Sequence, residues 1–305
     1  MKISVIGAGM VGSTTAQRIA DKKLADELVL VDIVESVKGK ALDIQESASI
    51  EGFSTKVIGT LDYKEISGSD IIIVTAGLPR QPGMSRDDLL AKNSEIVKKV
   101  AQNIKEYAKN AIVIVVTNPL DVMSYIMLKE TGFDKNKVIG MAGILDTTRF
   151  ATFIAEELNV TAKDVKALVL GSHGDSMVPV IEETTVKGKG LSEVLDKEKI
   201  EELVERTRKG GAEIVNYLKK GSAFYAPSSS VVKMINAIVK DSKEVMPCSV
   251  YLGGEYGYSG IYLGLPVKLG KNGVEEIVEM ELSETVKKQL DNSANTTKNN
   301  IAKLK

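Results

Sequence analysis

The chain has 305 residues, of which 43% are hydrophobic and 27% are charged, and its formal net charge is -1. This length and composition predict a globular protein with one large domain or two moderate ones. A net charge near zero excludes an overall basic field for binding nucleic acid or an anionic membrane. The single cysteine, Cys248, cannot form an internal disulfide, which is typical of a reducing compartment.

The first residues, M-K-I-S-V-I-G-A-G-M, enter a β-branched strand pattern at once. They contain no charged region followed by a long apolar stretch, so we expect no signal peptide. The apolar run at 111–116 is far too short to cross a bilayer. We therefore expect a cytoplasmic protein with no membrane partner.

The first half of the chain alternates short β-branched runs with helical patterns. Helices are predicted near 10–22, 36–47, 85–107 and 120–131. Strands are predicted at Lys2–Ile6, Glu27–Val31, Thr55–Ile58, Asp70–Thr75, Ala111–Val116 and Val138–Gly140. Strand and helix in regular alternation predict right-handed crossovers and a doubly wound parallel α/β sheet.

The second half follows an α+β pattern. Strands are predicted at 165–170, 178–187, 245–252, 261–268 and 274–281, and helices at 196–219, 228–240 and the C-terminus. We place the domain boundary after residue 143, which gives an N-terminal α/β domain over 1–143 and a C-terminal α+β domain over 144–305. No low-complexity linker separates them, so the two parts should pack tightly.

A glycine turn follows the first strand. Its residues are Gly7, Ala8, Gly9, Met10, Val11 and Gly12, which match the G-x-G-x-x-G pattern. Gly7 suits the tight turn, Gly9 the close approach of a pyrophosphate, and Gly12 the packing of helix on strand. The position between a strand and a helix makes this short motif informative, because the helix N-terminus then faces the phosphates. We expect a Rossmann-type dinucleotide site here.

An acidic residue stands where the adenosine ribose would bind. Asp32 ends the second strand, 20 residues after Gly12. A carboxylate there accepts hydrogen bonds from the ribose hydroxyls and repels a 2′-phosphate, which favours NAD over NADP. Weaker candidates for the rim of the same site are Asn93, Val116, Thr117 and Asn118.

His173, the only histidine, lies in G-S-H-G-D just after a predicted strand. Histidine is well matched to proton transfer near neutral pH, although a lone histidine in a turn often has no chemical role. Asp146 and Arg149 share one helix face in L-D-T-T-R. An aspartate orients an imidazole, and an arginine grips a carboxylate, so the three residues together predict an acid/base site for an anionic substrate.

The segment L-P-R-Q-P-G-M-S-R at 78–86 is a candidate lid. Arg80 and Arg86 in it can neutralise an anionic substrate and stabilise negative charge on a carbonyl oxygen. The alternative is a solvated loop in which Ser85 caps the following helix.

These segments resemble the L-lactate/L-malate dehydrogenase superfamily, in its lactate-dehydrogenase-like malate dehydrogenase branch. The resemblance runs nearly from end to end and is carried by K-I-S-V-I-G-A-G-M-V-G-S, V-T-N-P-L-D, G-I-L-D-T-T-R-F, G-S-H-G-D-S-M-V-P, K-G-S-A-F-Y-A-P and Y-L-G-G-E-Y-G, in this order. It implies reversible, NAD-dependent oxidation of malate to oxaloacetate. It also implies a homodimer or homotetramer and no catalytic metal.

The resemblance implies a role for each candidate residue. His173 would exchange the proton of the malate hydroxyl, and Asp146 would orient it. Arg149 would hold the C1 carboxylate, Arg86 would polarise the C2 carbonyl of oxaloacetate, and Asn118 would contact both substrate and nicotinamide.

The resemblance implies that Arg80 selects the substrate within this family. Lactate enzymes carry glutamine at that loop position, whereas an arginine can pair with the second carboxylate of malate. Burying a dicarboxylate under a lid requires a second cation. Gln81 is adjacent, so a register error of one residue would favour lactate; the spacing of Arg80 six residues before Arg86 supports malate.

Three alternatives remain open at this point. A lactate or other 2-hydroxy-acid dehydrogenase differs by the identity of the residue at 80. An NAD-dependent glycosidase would need a metal; the lone histidine and cysteine make a poor metal site, although carboxylates could still ligate Mn or Mg. A dinucleotide-sensing module would leave His173, Asp146 and the arginines without a joint role.

Overall fold

The computed structural model describes residues 1–79 and 84–304. Its strands are β1 Lys2–Ile6, β2 Glu27–Val31, β3 Lys56–Thr60, β4 Ile71–Val74, β5 Ile112–Val115, β6 Val138–Gly140, β7 Val165–Lys166, β8 Val169–Leu170, β9 Val178–Pro179, β10 Thr185–Val186, β11 Lys189–Gly190, β12 Glu244–Gly253, β13 Ser259–Gly270 and β14 Gly273–Ile277. Its helices are α1 Met10–Asp21, α2 Ser36–Glu46, α3 Ala48–Glu51, α4 Arg86–Tyr107, α5 Leu120–Thr131, α6 Gly143–Leu158, α7 Leu191–Val194, α8 Lys197–Leu218, α9 Tyr225–Val239 and α10 Glu284–Ala302.

Six of these strands form the predicted doubly wound sheet. Their order is β6-β5-β4-β1-β2-β3, and every neighbouring pair is parallel. The chain reverses its direction of winding between β1 and β4, and such a switch point opens a crevice at the carboxyl ends of the strands. The predicted α/β fold class is confirmed.

Both faces of this sheet are covered by apolar side chains. In β4, Ile71 and Ile73 face one core cluster, whereas Ile72 and Val74 face the cluster on the opposite side. All four residues are buried, since successive side chains alternate between faces and helices cover both. Because both faces are buried, the sequences of these strands are continuous apolar runs rather than alternating apolar and polar residues.

The second half extends the same sheet. Strands β12, β13 and β14 add an antiparallel ribbon, and β12 joins β6 through the pairing of Ser249 with Gly140. Among the described residues, nine strands therefore form one continuous sheet. The division after residue 143 stays a prediction, because the sheet itself crosses it.

The strand predicted at 165–170 is two short strands in different sheets. Val165 pairs with Val186, whereas Leu170 pairs with Val178. A 3₁₀ turn at Ile181–Glu183 likewise divides the predicted stretch 178–187. Residues of these short strands pack around Phe150 of α6 in a third apolar cluster. This packing places α6 against β8, the strand that precedes His173.

In the described part of the chain, no helix is both long enough and apolar enough to span a membrane. The C-terminal helix α10 instead buries Val286, Leu290 and Ala294 against the main core.

Candidate active site

The carboxyl ends of the parallel strands gather most of the predicted site residues. The glycine turn follows β1, Asp32 follows β2, the segment from Thr75 follows β4, and Asn118 lies beyond β5. Parallel neighbours end at the same edge of the sheet, so these loops border one cleft.

The glycine turn has the geometry that a dinucleotide requires. Gly7 adopts a φ of +99°, and a Cβ atom on Gly12 would lie 1.9 Å from the Gly7 carbonyl oxygen. A side chain is therefore excluded at both positions. A Cβ on Gly9 would meet nothing within 4 Å, which leaves open space above the turn for a ligand.

Helix α1 begins directly after this turn, at Met10. Its N-cap is Gly9, which provides no side-chain hydrogen bond, and its first turn has no acidic residue. In the described structure, no side chain at the N-cap accepts a hydrogen bond from the first N–H groups of α1. This arrangement fits a pyrophosphate group.

Asp32 holds the glycine turn from the second strand. Its Oδ2 atom accepts a hydrogen bond of 2.6 Å from the backbone N–H of Ala8, and its Oδ1 atom accepts one of 2.7 Å from that of Ile33. Lys40 and Ser13 both donate to the Ala8 carbonyl. Oδ1 also accepts from the backbone N–H of Val34 at 3.2 Å. A carboxylate has about four acceptor positions, so Asp32 retains about one for a ribose hydroxyl.

The weaker rim candidates are held in place by the backbone. Asn93 is buried: its Oδ1 atom accepts from Leu78 N at 2.8 Å, and its Nδ2 atom donates to the Asn118 carbonyl at 2.7 Å. Thr117 donates to the Ala76 carbonyl, and Val116 is half-buried. Asn93 and Thr117 thus fix the loops at the rim, whereas Asn118 is exposed.

His173 lies in the turn after β8, and its ring contacts Asp146 on α6. The Nδ1 atom of His173 is 2.8 Å from Oδ2 of Asp146. The histidine side chain is 17% exposed and the aspartate side chain 2%. The aspartate therefore lies behind the imidazole, and with Nδ1 occupied the Nε2 atom is available for a ligand.

The pKa of His173 is raised above its ordinary value. Burial by itself lowers this pKa, but the charge of Asp146 and its hydrogen bond to the ring outweigh burial. Asp121 acts in the same direction, whereas Arg149 opposes it. The site thus stabilises the imidazolium, which is the state of a group that has just accepted a proton.

Arg149 lies one helical turn after Asp146, as predicted. Its NH1 atom is 3.5 Å from Oδ1 of Asp146, and its side chain is 12% exposed. Its buried Nε atom has no hydrogen-bond partner within residues 1–79 and 84–304. Burial lowers the pKa of Arg149, partly offset by Asp146. A buried guanidinium with unused donors is suited to a carboxylate ligand.

The structure adds a site residue that the sequence did not indicate. Asp121 on α5 is 2% exposed, and its Oδ2 atom accepts from His173 N at 3.0 Å and from Ser172 Oγ at 2.7 Å. Its Oδ1 atom accepts from Ser249 Oγ at 2.6 Å. The only sequence signal was an acidic residue in the first helical turn after N-P, which usually marks a helix start.

The candidate lid is described in part. Ser85 is the N-cap of α4, as the solvated-loop alternative expected; it forms a capping box with Asp88, and Arg86 is the first helical residue. Arg86 forms an exposed ion pair with Asp175, two residues after His173. The lid end and the histidine turn are therefore in contact. Arg80 and Gln81 lie outside the described residues.

Within residues 1–79 and 84–304, no group of three or more His, Cys, Asp or Glu side chains is placed to hold a metal ion.

Comparison with protein-family models covers both halves of the chain. Residues 1–140 match the lactate/malate dehydrogenase NAD-binding domain, and residues 144–305 match the lactate/malate dehydrogenase alpha/beta C-terminal domain. The chain belongs to the lactate/malate dehydrogenase family. It is an oxidoreductase whose N-terminal part is an NAD-binding domain, as the glycine turn predicted.

Individual relatives are similar over their whole length. A malate dehydrogenase of Chloroherpeton thalassium is 59% identical, covering 100% of this chain and 98% of that protein. The solved malate dehydrogenase of Salinibacter ruber has 48% identity and a TM-score of 0.95, covering 99% of this chain and 97% of that one.

A lactate dehydrogenase is equally similar in fold. The enzyme of Cryptosporidium parvum, solved with lactic acid and nicotinamide adenine dinucleotide, has 45% identity and a TM-score of 0.95, covering 99% of this chain and 96% of that one. The backbone therefore does not separate the two activities, and the choice of substrate depends on individual side chains.

Replacement of Asp146 by asparagine should lower the pKa of His173. The substitution removes the charge that raises this pKa and leaves burial, which lowers it. His173 is the only histidine, so its imidazole signals can be followed by proton NMR as a function of pH without assignment. Asp175→Asn is the matched control and should cause a smaller change. An unchanged titration in Asp146→Asn would contradict the proposed pairing.

Proposed function

We propose that this enzyme catalyses the reversible, NAD-dependent oxidation of (S)-malate to oxaloacetate. The observation that carries the proposal is that Asp146 contacts both His173 and Arg149, in a chain that also contains a glycine turn suited to a dinucleotide. It supplies a base, a group that orients the base, and a buried cation for a carboxylate. The relatives named malate dehydrogenase support the same reaction.

His173 is the proposed acid/base residue. Its Nε2 atom accepts the proton of the C2 hydroxyl of malate as the C2 hydride departs, and returns that proton in the reverse direction. Bound NAD supplies the acceptor for the hydride. Asp146 fixes the Nδ1–H tautomer before transfer and stabilises the imidazolium afterwards.

The arginines are proposed to bind the dicarboxylate. Arg149 holds the C1 carboxylate with its guanidinium, whose Nε atom has no hydrogen-bond partner among the described residues. Arg86 polarises the C2 carbonyl of oxaloacetate. To do so, it must leave its ion pair with Asp175 and bind the substrate instead. Asn118, exposed at the end of β5, contacts the substrate oxygen and the nicotinamide side. Arg80 pairs with the second carboxylate.

The competing function is oxidation of lactate. The solved lactate dehydrogenase with the same fold favours keeping it as the alternative. Pyruvate lacks the second carboxylate, so a site that buries Arg80 beside pyruvate would leave a cation unpaired, at a cost of about 3–5 kcal/mol.

Oxidation of NADH in the presence of oxaloacetate or pyruvate tests the function directly. We expect kcat/KM to be at least about 100-fold higher for oxaloacetate, because only that substrate pairs with both arginines. His173→Asn should abolish turnover and retain NADH binding, measured by nucleotide fluorescence. Equal rates with the two substrates, or an active His173→Asn variant, would refute the proposal.

Arg80→Gln tests the choice of substrate. Loss of the second cation should lower kcat/KM for oxaloacetate by roughly 100-fold, with the Kd of NADH unchanged. Arg18→Gln, on α1, is the control for loss of a positive charge away from the lid and should retain oxaloacetate kinetics. Unchanged kinetics in Arg80→Gln would show that another residue binds the second carboxylate.

We further propose that the chain forms a homodimer or homotetramer. Leu42 on α2 and Ile50 on α3 are 59% and 86% exposed, so two large apolar side chains on neighbouring helices are available for a contact between copies of the chain. Light scattering coupled to size exclusion should give a mass of two or four chains, and Ile50→Glu should shift it toward one. A monomeric mass for the unaltered protein would exclude this proposal.

A further inference from the structure

Helix α8 forms one wall beside the substrate arginine. A Cβ atom on Gly210 would lie 3.3 Å from Cδ of Arg149, and one on Gly211 would lie 3.7 Å from its NH2 atom. Arg149 therefore packs against a stretch of α8 that has no side chains. Glycine has no side chain that could hold α8 against Arg149, so neighbouring residues must set the position of α8.

Arg206 lies one helical turn before Gly210 and makes such contacts. Its guanidinium carbon is 3.9 Å from the centre of the Phe153 ring on α6. Phe153 in turn lies one helical turn after Arg149, and a Cβ on Gly210 would be 3.5 Å from its ring. Arg149 and Phe153 on α6 thus face Gly210 and Arg206 on α8.

Two carboxylates fix the orientation of the Arg206 guanidinium. Its NH1 atom donates to Oε2 of Glu156 on α6 at 3.0 Å. Its Nε and NH2 atoms donate to the two carboxylate oxygens of Glu213, further along α8, at 3.1 and 2.9 Å. A planar guanidinium engaged in this way joins both helices in one geometry, which a lysine ammonium cannot reproduce.

We propose that Arg206 is a positioning residue that sets the distance between α8 and Arg149. Stacked on Phe153 and paired with Glu156, it holds α8 where the guanidinium of Arg149 is supported but its donors stay free for a carboxylate. Arg206 itself is 41% exposed, so its ion pairs stabilise the fold only weakly. Its effect is on the geometry of substrate binding. This inference rests on the proposed dehydrogenase function.

The test compares substrate and cofactor binding in matched variants. Arg206→Met should raise the KM for oxaloacetate roughly tenfold, because misplacement of a binding group by a fraction of an ångström weakens its contacts. The Kd of NADH should stay unchanged and kcat should change much less than KM. Arg206→Lys should restore only part of the loss, since lysine keeps the charge but not the paired geometry.

Lys197→Met is the matched control on the same helix. Lys197 forms an exposed ion pair with Glu201, also on α8, at 3.7 Å, so its removal should leave KM unchanged. Phe153→Leu serves as a second variant that retains both carboxylate pairs and removes the ring, and it should raise KM in the same direction. Circular dichroism establishes that each variant is folded.

The outcomes separate this inference from the function on which it rests. Failure of the unaltered enzyme to reduce oxaloacetate would refute the proposed function. An active enzyme in which folded Arg206→Met and Phe153→Leu keep the original KM would overturn the role of Arg206. Equal losses of thermal stability with no selective change in KM would identify a purely structural contact and would overturn it as well.

Discussion

The geometry of the site depends on one buried carboxylate. Asp121 accepts hydrogen bonds from the His173 backbone, from Ser172 and from Ser249, and so joins α5, the histidine turn and β12. Burial raises the pKa of Asp121, and the hydroxyl donors of Ser249 and Ser172 partly offset this. An acidic side chain is costly to bury unless it is fully hydrogen-bonded, so the three donors must stay in place together. That requirement fixes the turn from which the imidazole projects.

Two different aspartates hold the backbone and the ring of His173. Asp121 holds the backbone of His173, whereas Asp146 holds its Nδ1 atom, and the two carboxylates belong to different helices. The same aspartate that binds the ring also lies near Arg149. A single side chain thus places the proposed base and the proposed carboxylate-binding cation relative to each other. The distance between them is determined by one turn of α6 rather than by a flexible loop.

Local patterns in the sequence predicted the parallel sheet and the dinucleotide turn, because buried strands require continuous β-branched runs and Gly7 and Gly12 admit no side chain. The pairing of Asp146 with Arg149 followed from helical spacing. The role of Asp121 could not be predicted, since its partners Ser172 and Ser249 are far apart in the sequence and meet only in the folded chain. The single strand predicted at 165–170 was wrong for a related reason: its two ends pair with different partners, and pairing is not encoded locally.

The sheet that crosses the predicted domain boundary constrains how the cleft can open. Hinge bending between two lobes needs a segment where few contacts are broken, but here β12 and β6 are neighbours in one hydrogen-bonded sheet. Rotation of one half would shear that pairing and the buried hydrogen bonds of Asp121. Any rearrangement that admits substrate is therefore confined to segments outside this sheet. The continuous sheet thus connects the glycine turn after β1 and, through Ser249 and Asp121, the histidine turn in one hydrogen-bonded framework.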